Sequence, residues 1–495
     1  LIAAVGQWVE RWESLRVHPR YRTVGLLGAA TLFAGLLWVP APEGLTVPAQ
    51  RAAALLAAMA WLWIGGVIPL AVTALLPLVF VPLLGLGKMN TTAAAYFDPL
   101  NILMLGGFIL GHAMESVGLH RRLTAWLLAP AWVRASPRRV LFALMAATAA
   151  LSALMSNTAT MLMMLPLALT TAALSSSNTK VRLAFPLGCA YAASIGGLAT
   201  LIGTPPNAVL AAQAPVLIGR EVSFAGWMAI GVPFVVLAIP AAWWAVVATR
   251  RVPDVAEHPI AAPEVLPWSA AERSVVGVVA LALIAWITRL PIDLGPVTVP
   301  GWAARVGPVD DAWVAMVAAV VLFLLPREPG RGGEPIVVWS RVERAIPWGV
   351  LLLLGGGFAL AGAIEKSGLT DWLAQAGPWL ARWPLPVATF AICASMVALT
   401  EFTSNAAAAQ ISIPLFAAAA QGAGVDPMVW LVPCTFAVSC GFMMPAGTGP
   451  NAIASEAGGV RPGDMAYAGL LVNVACAVLA TAVSLVGVPW VFAAG

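Results

Sequence analysis

The chain has 495 residues, 61% hydrophobic and 10% charged, whereas ordinary soluble domains carry roughly 25% charged residues. So few charges cannot coat the three or four soluble domains this length would make, so the chain reads as a polytopic membrane protein with apolar side chains facing lipid. A net charge of +4 with no aromatic-flanked basic run argues against a nucleic-acid partner, and five cysteines without CxxC spacing and four unpaired histidines give no zinc motif.

Residues 1–23, with Trp8, Arg11, Trp12, Arg16, Arg20 and Arg22, read as a juxtamembrane helix on the cytoplasmic surface, and no secretory signal is expected there. A span needs about 20 apolar residues. The first is predicted over 24–39, ending at Pro40. The stretch 52–86 is twice as long as a span and should divide near Gly65-Gly66 and Pro69. After the polar segment 88–101, further spans are expected near 102–119, 182–201, 226–248, 274–290, 311–326, 347–363, 429–443 and 467–490.

Lys and Arg set the orientation. The basic segments are the N-terminus, 120–139 (Arg121, Arg122, Arg134, Arg138, Arg139), 250–273 (Arg250, Arg251, Arg273) and 327–344 (Arg327, Arg331, Arg341, Arg344). The segments 40–50, 87–101 and 290–308 are poorer in basic residues. All four basic segments share one side if 140–173 enters and leaves by the same face, as a re-entrant hairpin; 387–421 is expected to do likewise. The predicted fold class is therefore an all-α polytopic membrane protein of about eleven transmembrane helices plus two re-entrant hairpins. It should lie in the inner (cell) membrane, with the N-terminus cytoplasmic and the C-terminus extracytoplasmic.

The chain contains itself twice. Gly106-Gly107-Phe108 with Glu115, Gly118 and Leu119 matches Gly356-Gly357-Phe358 with Glu365, Gly368 and Leu369. Ser156-Asn157 matches Ser404-Asn405, and Gly203-Thr204-Pro205-Pro206-Asn207 matches Gly447-Thr448-Gly449-Pro450-Asn451. Three collinear matches do not arise by scatter. An odd number of crossings separates the two hairpins, so the repeats are inverted, as in secondary transporters that bind substrate near the midplane between discontinuous helices.

Ser156-Asn157-Thr158 and Ser404-Asn405-Ala406 each interrupt an apolar run. Ser, Asn and Thr favour helix N-caps, so each motif can end one hairpin arm and open the next. The new helix N-terminus offers free N–H groups to an anion; two such tips facing each other would hold a dianion. The Gly- and Pro-rich GTxPN segments should break a span and expose carbonyls to a hard cation such as sodium. The bland alternative, polar glue between helices, fits one isolated motif better than two matched ones.

These paired motifs, with Ile68–Pro77, resemble the divalent anion:sodium symporter (INDY-type) family from about residue 50 onward. The resemblance implies a homodimer in which a transport domain moves as an elevator against a fixed scaffold, carrying small di- or tricarboxylates with sodium. Sodium-independent exchange and sulfate transport are alternatives within the same fold. The implied boundaries are 24–135 and 274–383 for the scaffold, 136–249 and 384–495 for the transport halves, and 250–273 for a cytoplasmic linker. One cation site would use Ser152, Ser156, Asn157 and the Gly203 carbonyl; its counterpart would use Thr400, Thr403, Asn405 and the Gly447 carbonyl. Substrate would meet Asn157, Thr158, Asn405 and Thr448. Ser152 and Thr400 each stand four residues before an SN serine, one helical turn from the tip. Ala406 and Gly449 depart from the family's usual Thr and Pro, leaving one donor fewer and a wider pocket.

Glu401 is expected to brace the second hairpin, since it would repel an anion. Glu115 and Glu365 are placed where helices meet the interface, His112 in packing, and the tryptophans in interface belts. Two rivals remain, a passive anion channel and an intramembrane enzyme with Ser156 or Ser404 as nucleophile. Neither serine has a His or Lys nearby in sequence to act as base.

Overall fold

The structure is a computed structural model describing residues 19–256, 261–262, 267–293, 298–328 and 334–492. Residues 1–18, with Trp8, Arg11, Trp12 and Arg16, lie outside the described residues, as do Arg331 and parts of the 250–273 and 290–308 segments.

The described residues are almost wholly helical. Among the described residues, ten helices are long and apolar enough to cross a membrane, or eleven if the bent pair Leu369–Leu380 and Leu385–Thr400 counts as one span. Two of the ten, Asn157–Ser175 and Asn405–Ala423, are second arms of the expected hairpins. Three expected spans are shorter apolar helices instead: Leu70–Leu83, Asp311–Leu324 and Pro427–Ala437. The first is interrupted after Thr73, and the third stops where the chain turns toward the second GTxPN segment. The expected division of 52–86 falls at Gly66, whose φ of +62° ends the helix Val47–Gly65; glycine reaches this left-handed region without a Cβ penalty.

Packing divides the chain into two compact units. One gathers residues 1–98, 205–222 and 348–495. Its core sets Leu55, Met59 and Trp63 of Val47–Gly65 against Leu353, Leu360 and Ile364 of Trp348–Lys366, and against Ala406, Ala407 and Ile411 of the second hairpin. Small residues allow this closeness, as expected between helices in lipid: a Cβ on Gly356 would fall 2.1 Å from the Ala74 carbonyl oxygen.

The other unit comprises residues 99–204 and 223–347. Its helix Thr179–Gly196 is buried over most of its length and contacts both Pro137–Ser152 and Asn157–Ser175. Pro99–Ser116 packs on Asp311–Leu324, where a Cβ on Gly106 would meet Ala315 at 2.6 Å. Asp311 is fixed by Arg289 at 2.6 Å and by the Phe224 N–H at 2.9 Å. Each unit holds one of the two hairpins. All five cysteines are buried free thiols.

Candidate functional site

Each hairpin breaks at its SN motif. Pro137–Ser152 stops at Ser152 and the next helix starts at Asn157; Leu385–Thr400 stops at Thr400 and the next starts at Asn405. Ser156 and Ser404 occupy the N-cap positions, as their sequence suggests, but neither side chain caps its own helix.

At the first break the buried Ser152 hydroxyl lies 2.8 Å from Asn157 Oδ1 and 2.6 Å from the Ala193 carbonyl oxygen. This corrects the expected one-turn relation to Ser156: the helix ends at Ser152, so its side chain reaches across the break to Asn157 instead. Two glycines let the oxygens crowd together. A Cβ on Gly197 would stand 2.2 Å from Asn157 Oδ1 and 3.1 Å from the Gly203 carbonyl oxygen, and one on Gly203 would stand 2.4 Å from the Gly197 oxygen. Ser152, Asn157 and Gly203 thus converge, with Ser156 at the adjoining tip. The Thr200 hydroxyl ties the loop back to the Ala153 carbonyl.

The second break repeats the pattern. The Thr400 hydroxyl lies 2.8 Å from Asn405 Oδ1 and 2.6 Å from the Val438 carbonyl oxygen. A Cβ on Gly447 would approach the Gly441 oxygen at 2.8 Å. Asn451 Nδ2 donates to the carbonyls of Gly441 and Met444 at 2.9 and 3.0 Å, and its N–H is capped by the Thr448 hydroxyl at 3.2 Å. Thr400 and Asn405 thus meet at this break, with Gly447 packed on Gly441 and Gly441 on Thr400, while the Thr403 hydroxyl donates to the Trp63 carbonyl at 3.3 Å.

The halves are not identical. Thr158 is exposed, whereas Ala406 in the matching position is 5% exposed and belongs to the apolar core. Ala406 thus leaves no open room, contrary to the sequence expectation. Glu401 has no carboxylate counterpart in the first repeat, where Ala153 stands. Its oxygens accept from the Met443 N–H at 2.9 Å, the Met444 N–H at 3.0 Å and Asn473 Nδ2 at 2.7 Å. This is the bracing geometry anticipated for it.

A cavity of about 250 Å³ opens beside the first break, bordered by Phe108, Met155, Ser156 and Thr158 and by His112 and Glu115. His112 Nδ1 lies 3.8 Å from Glu115 Oε2, beyond hydrogen-bond reach. Both residues border a cavity at the tip, a place their sequence context did not give.

Sequence reasoning missed Gly197, Gly441, the carbonyls of Ala193 and Val438, and Asn473. Backbone carbonyls carry no side-chain signature, but the glycines had one: each stands six residues before the GTxPN glycine in its repeat. Among the described residues no three His, Cys, Asp or Glu side chains gather for a metal. Hydroxyl, amide and carbonyl oxygens suit a hard cation instead.

Comparison with known proteins points the same way. Residues 56–435 match the citrate transporter family. Over 472 residues the chain is 34% identical to the sodium-dependent dicarboxylate transporter SdcS of Staphylococcus saprophyticus, covering 91% of this chain and 88% of that protein. Its identity to SdcS of Staphylococcus aureus strain NCTC 8325 is 32% over 475 residues, covering 92% and 89%. In fold it is similar to the crystal structure of the Alcanivorax borkumensis YdaH transporter, with a TM-score of 0.55 at 17% identity, covering 81% of this chain and 88% of that one.

Proposed function

The chain belongs to the citrate transporter family, of the divalent anion:sodium symporter type, and from that premise we propose that it is a secondary active transporter of small di- or tricarboxylates coupled to sodium. Membership of a transporter family sets aside the serine-nucleophile reading. The observation that carries the proposal is the doubled pocket, Ser152 with Asn157 and Thr400 with Asn405, each hydroxyl 2.8 Å from an amide oxygen at the mouth of a new helix.

Sodium is the coupling ion in this reading. Ser152, Ser156, Asn157 and the Gly203 carbonyl would hold one ion; Thr400, Thr403, Asn405 and the Gly447 carbonyl would hold another. The N–H groups that open Asn157–Ser175 and Asn405–Ala423, with Asn157, Thr158, Asn405 and Thr448, would take substrate carboxylates. Homodimers in the inner membrane would move segments 136–249 and 384–495 as an elevator against 24–135 and 274–383.

Uptake of labelled succinate into proteoliposomes, with and without an inward sodium gradient, tests the function. Accumulation above equilibrium only with the gradient supports symport. Accumulation driven by internal anion alone would mean exchange, and equilibration without accumulation would mean a channel.

A further inference from the structure

Away from either break, a groove of about 700 Å³ runs between the segment 126–133, the helix Pro137–Ser152 and the helix Phe224–Arg250. Its walls are apolar: Trp126, Val133, Phe142, Ala146 and Trp243 among them. Arg139 is the one charged residue among those that line it. We propose that this groove binds a single anionic phospholipid, with the phosphate at Arg139 and an acyl chain along the apolar walls.

Charge complementarity favours that occupant. The Arg139 guanidinium stands 5.8 Å over the Trp132 ring and donates through Nη1 to the Trp132 carbonyl at 3.0 Å. No carboxylate lies within ion-pair distance of it among the described residues. Arg138, next in sequence, turns its Nε onto the Val252 carbonyl at 2.7 Å. Asp254, an acid nearby, accepts instead from the Ser136 hydroxyl at 2.8 Å. A guanidinium has five donors in a fixed fork, so Arg139 keeps donors for a phosphate.

A second groove supplies the contrast. It holds about 420 Å³ and is lined by Leu119, Leu123, Leu151, Val276 and Arg122. There the charge is already met, because Arg122 contacts both oxygens of Glu272 at 2.9 Å and stacks on Trp268 at 4.2 Å. A lipid phosphate would find net attraction only in the first groove.

Depth agrees as well. Trp126 and Trp132 are 69% and 63% exposed, and indoles settle at the headgroup level of a bilayer. Arg139 beside them is therefore placed for a phosphate, and the apolar walls beyond it for a chain. A net negative lipid is favoured over a zwitterionic one, whose own ammonium compensates its phosphate.

The test is independent of transport. The purified full-length chain, stripped of native lipid in detergent, is offered phosphatidylglycerol and phosphatidylcholine of matched chains, and retained lipid is read by native mass spectrometry. One phosphatidylglycerol should be held in preference to phosphatidylcholine. Arg139→Gln should lower phosphatidylglycerol retention about fivefold, the size expected for one basic residue at a membrane surface. Ala146→Phe, which fills the groove and leaves the charge, should lower retention of both lipids, and Arg121→Gln should change neither. Equal retention of the two lipids by the unaltered chain, an Arg121→Gln loss matching that of Arg139→Gln, or full retention by Ala146→Phe would each overturn the proposal.

Discussion

Gly197→Ala probes the first of the two proposed ion pockets with a single methyl group. The added Cβ would stand 2.2 Å from Asn157 Oδ1, where real Cβ atoms essentially never come within 3.0 Å. The nearest atoms belong to the Asn157 amide, with the Gly203 carbonyl oxygen next at 3.1 Å, so that side chain must give way by roughly 1 Å, a misplacement that can cost on the order of a hundredfold in function. The fold itself should survive. Ser152 would lose its 2.8 Å partner but keep the Ala193 carbonyl at 2.6 Å, a loss of about 0.5–1.5 kcal/mol against a usual total of about 5–15 kcal/mol. Gly441→Ala is the internal control. Its Cβ would meet Thr400 Cγ2 at 3.1 Å and the Thr400 oxygen at 3.3 Å, needing only a few tenths of an ångström. The readouts are the sodium half-saturation of succinate uptake in proteoliposomes and the sodium-dependent rise in melting temperature in detergent. Gly197→Ala should lose both while remaining monodisperse, and Gly441→Ala should keep most of each. An unchanged sodium half-saturation in Gly197→Ala, or a heavier loss in Gly441→Ala, would refute the pocket as drawn.

The other expectations are simpler. Thr400→Val strips the hydroxyl from the half-buried Asn405 amide oxygen and the buried Val438 carbonyl and should cost about 1–3 kcal/mol, lowering the melting temperature and raising the sodium half-saturation; Thr400→Ser should restore both. Glu401→Gln turns one acceptor into a donor facing N–H groups and should cost about 1–3 kcal/mol; an unchanged melting temperature would remove the bracing role. Ala406→Thr should overpack the core by about 1–3 kcal/mol with no gain in succinate affinity. Tighter competition by succinate in that variant would instead place position 406 at the substrate.

Features set by local chemistry could be read before any coordinates. The SN dipeptides marked both helix breaks because polar N-cap residues recur at matched places in apolar runs, between Leu151–Met155 and Met161–Leu165 and between Met396–Leu399 and Ile411–Ile413. The GTxPN segments marked breaks in the helical run, and the chain restarts there as helices at Pro205 and Gly449, where Pro suits the first turn and the Thr448 hydroxyl caps the Asn451 N–H. What escaped depends on chain separation. Glu401 finds Asn473 across 72 residues, and Gln213 donates to Gln410 across 197 at 2.5 Å. No local pattern encodes such partners. Ala406 misled for a related reason: a missing hydroxyl looks like open space until the neighbours are known, and here Leu353 and Leu360 belong to the core that encloses it. The i,i+4 rule failed at Ser152 because it presumes a continuous helix, and this helix ends there.

The buried thiols make the molecule silent toward bulky sulfhydryl reagents. Cys189, Cys393, Cys434, Cys440 and Cys476 all lie inside the packing, so a large maleimide meets none of them while the chain stays folded. A cysteine placed at the exposed position of Thr158 would then be the sole reactive handle, with no need to rebuild the native background. Its labelling rate becomes a clock for how often that tip sees water. Sodium and succinate, if they settle there, should slow the clock together more than either does alone.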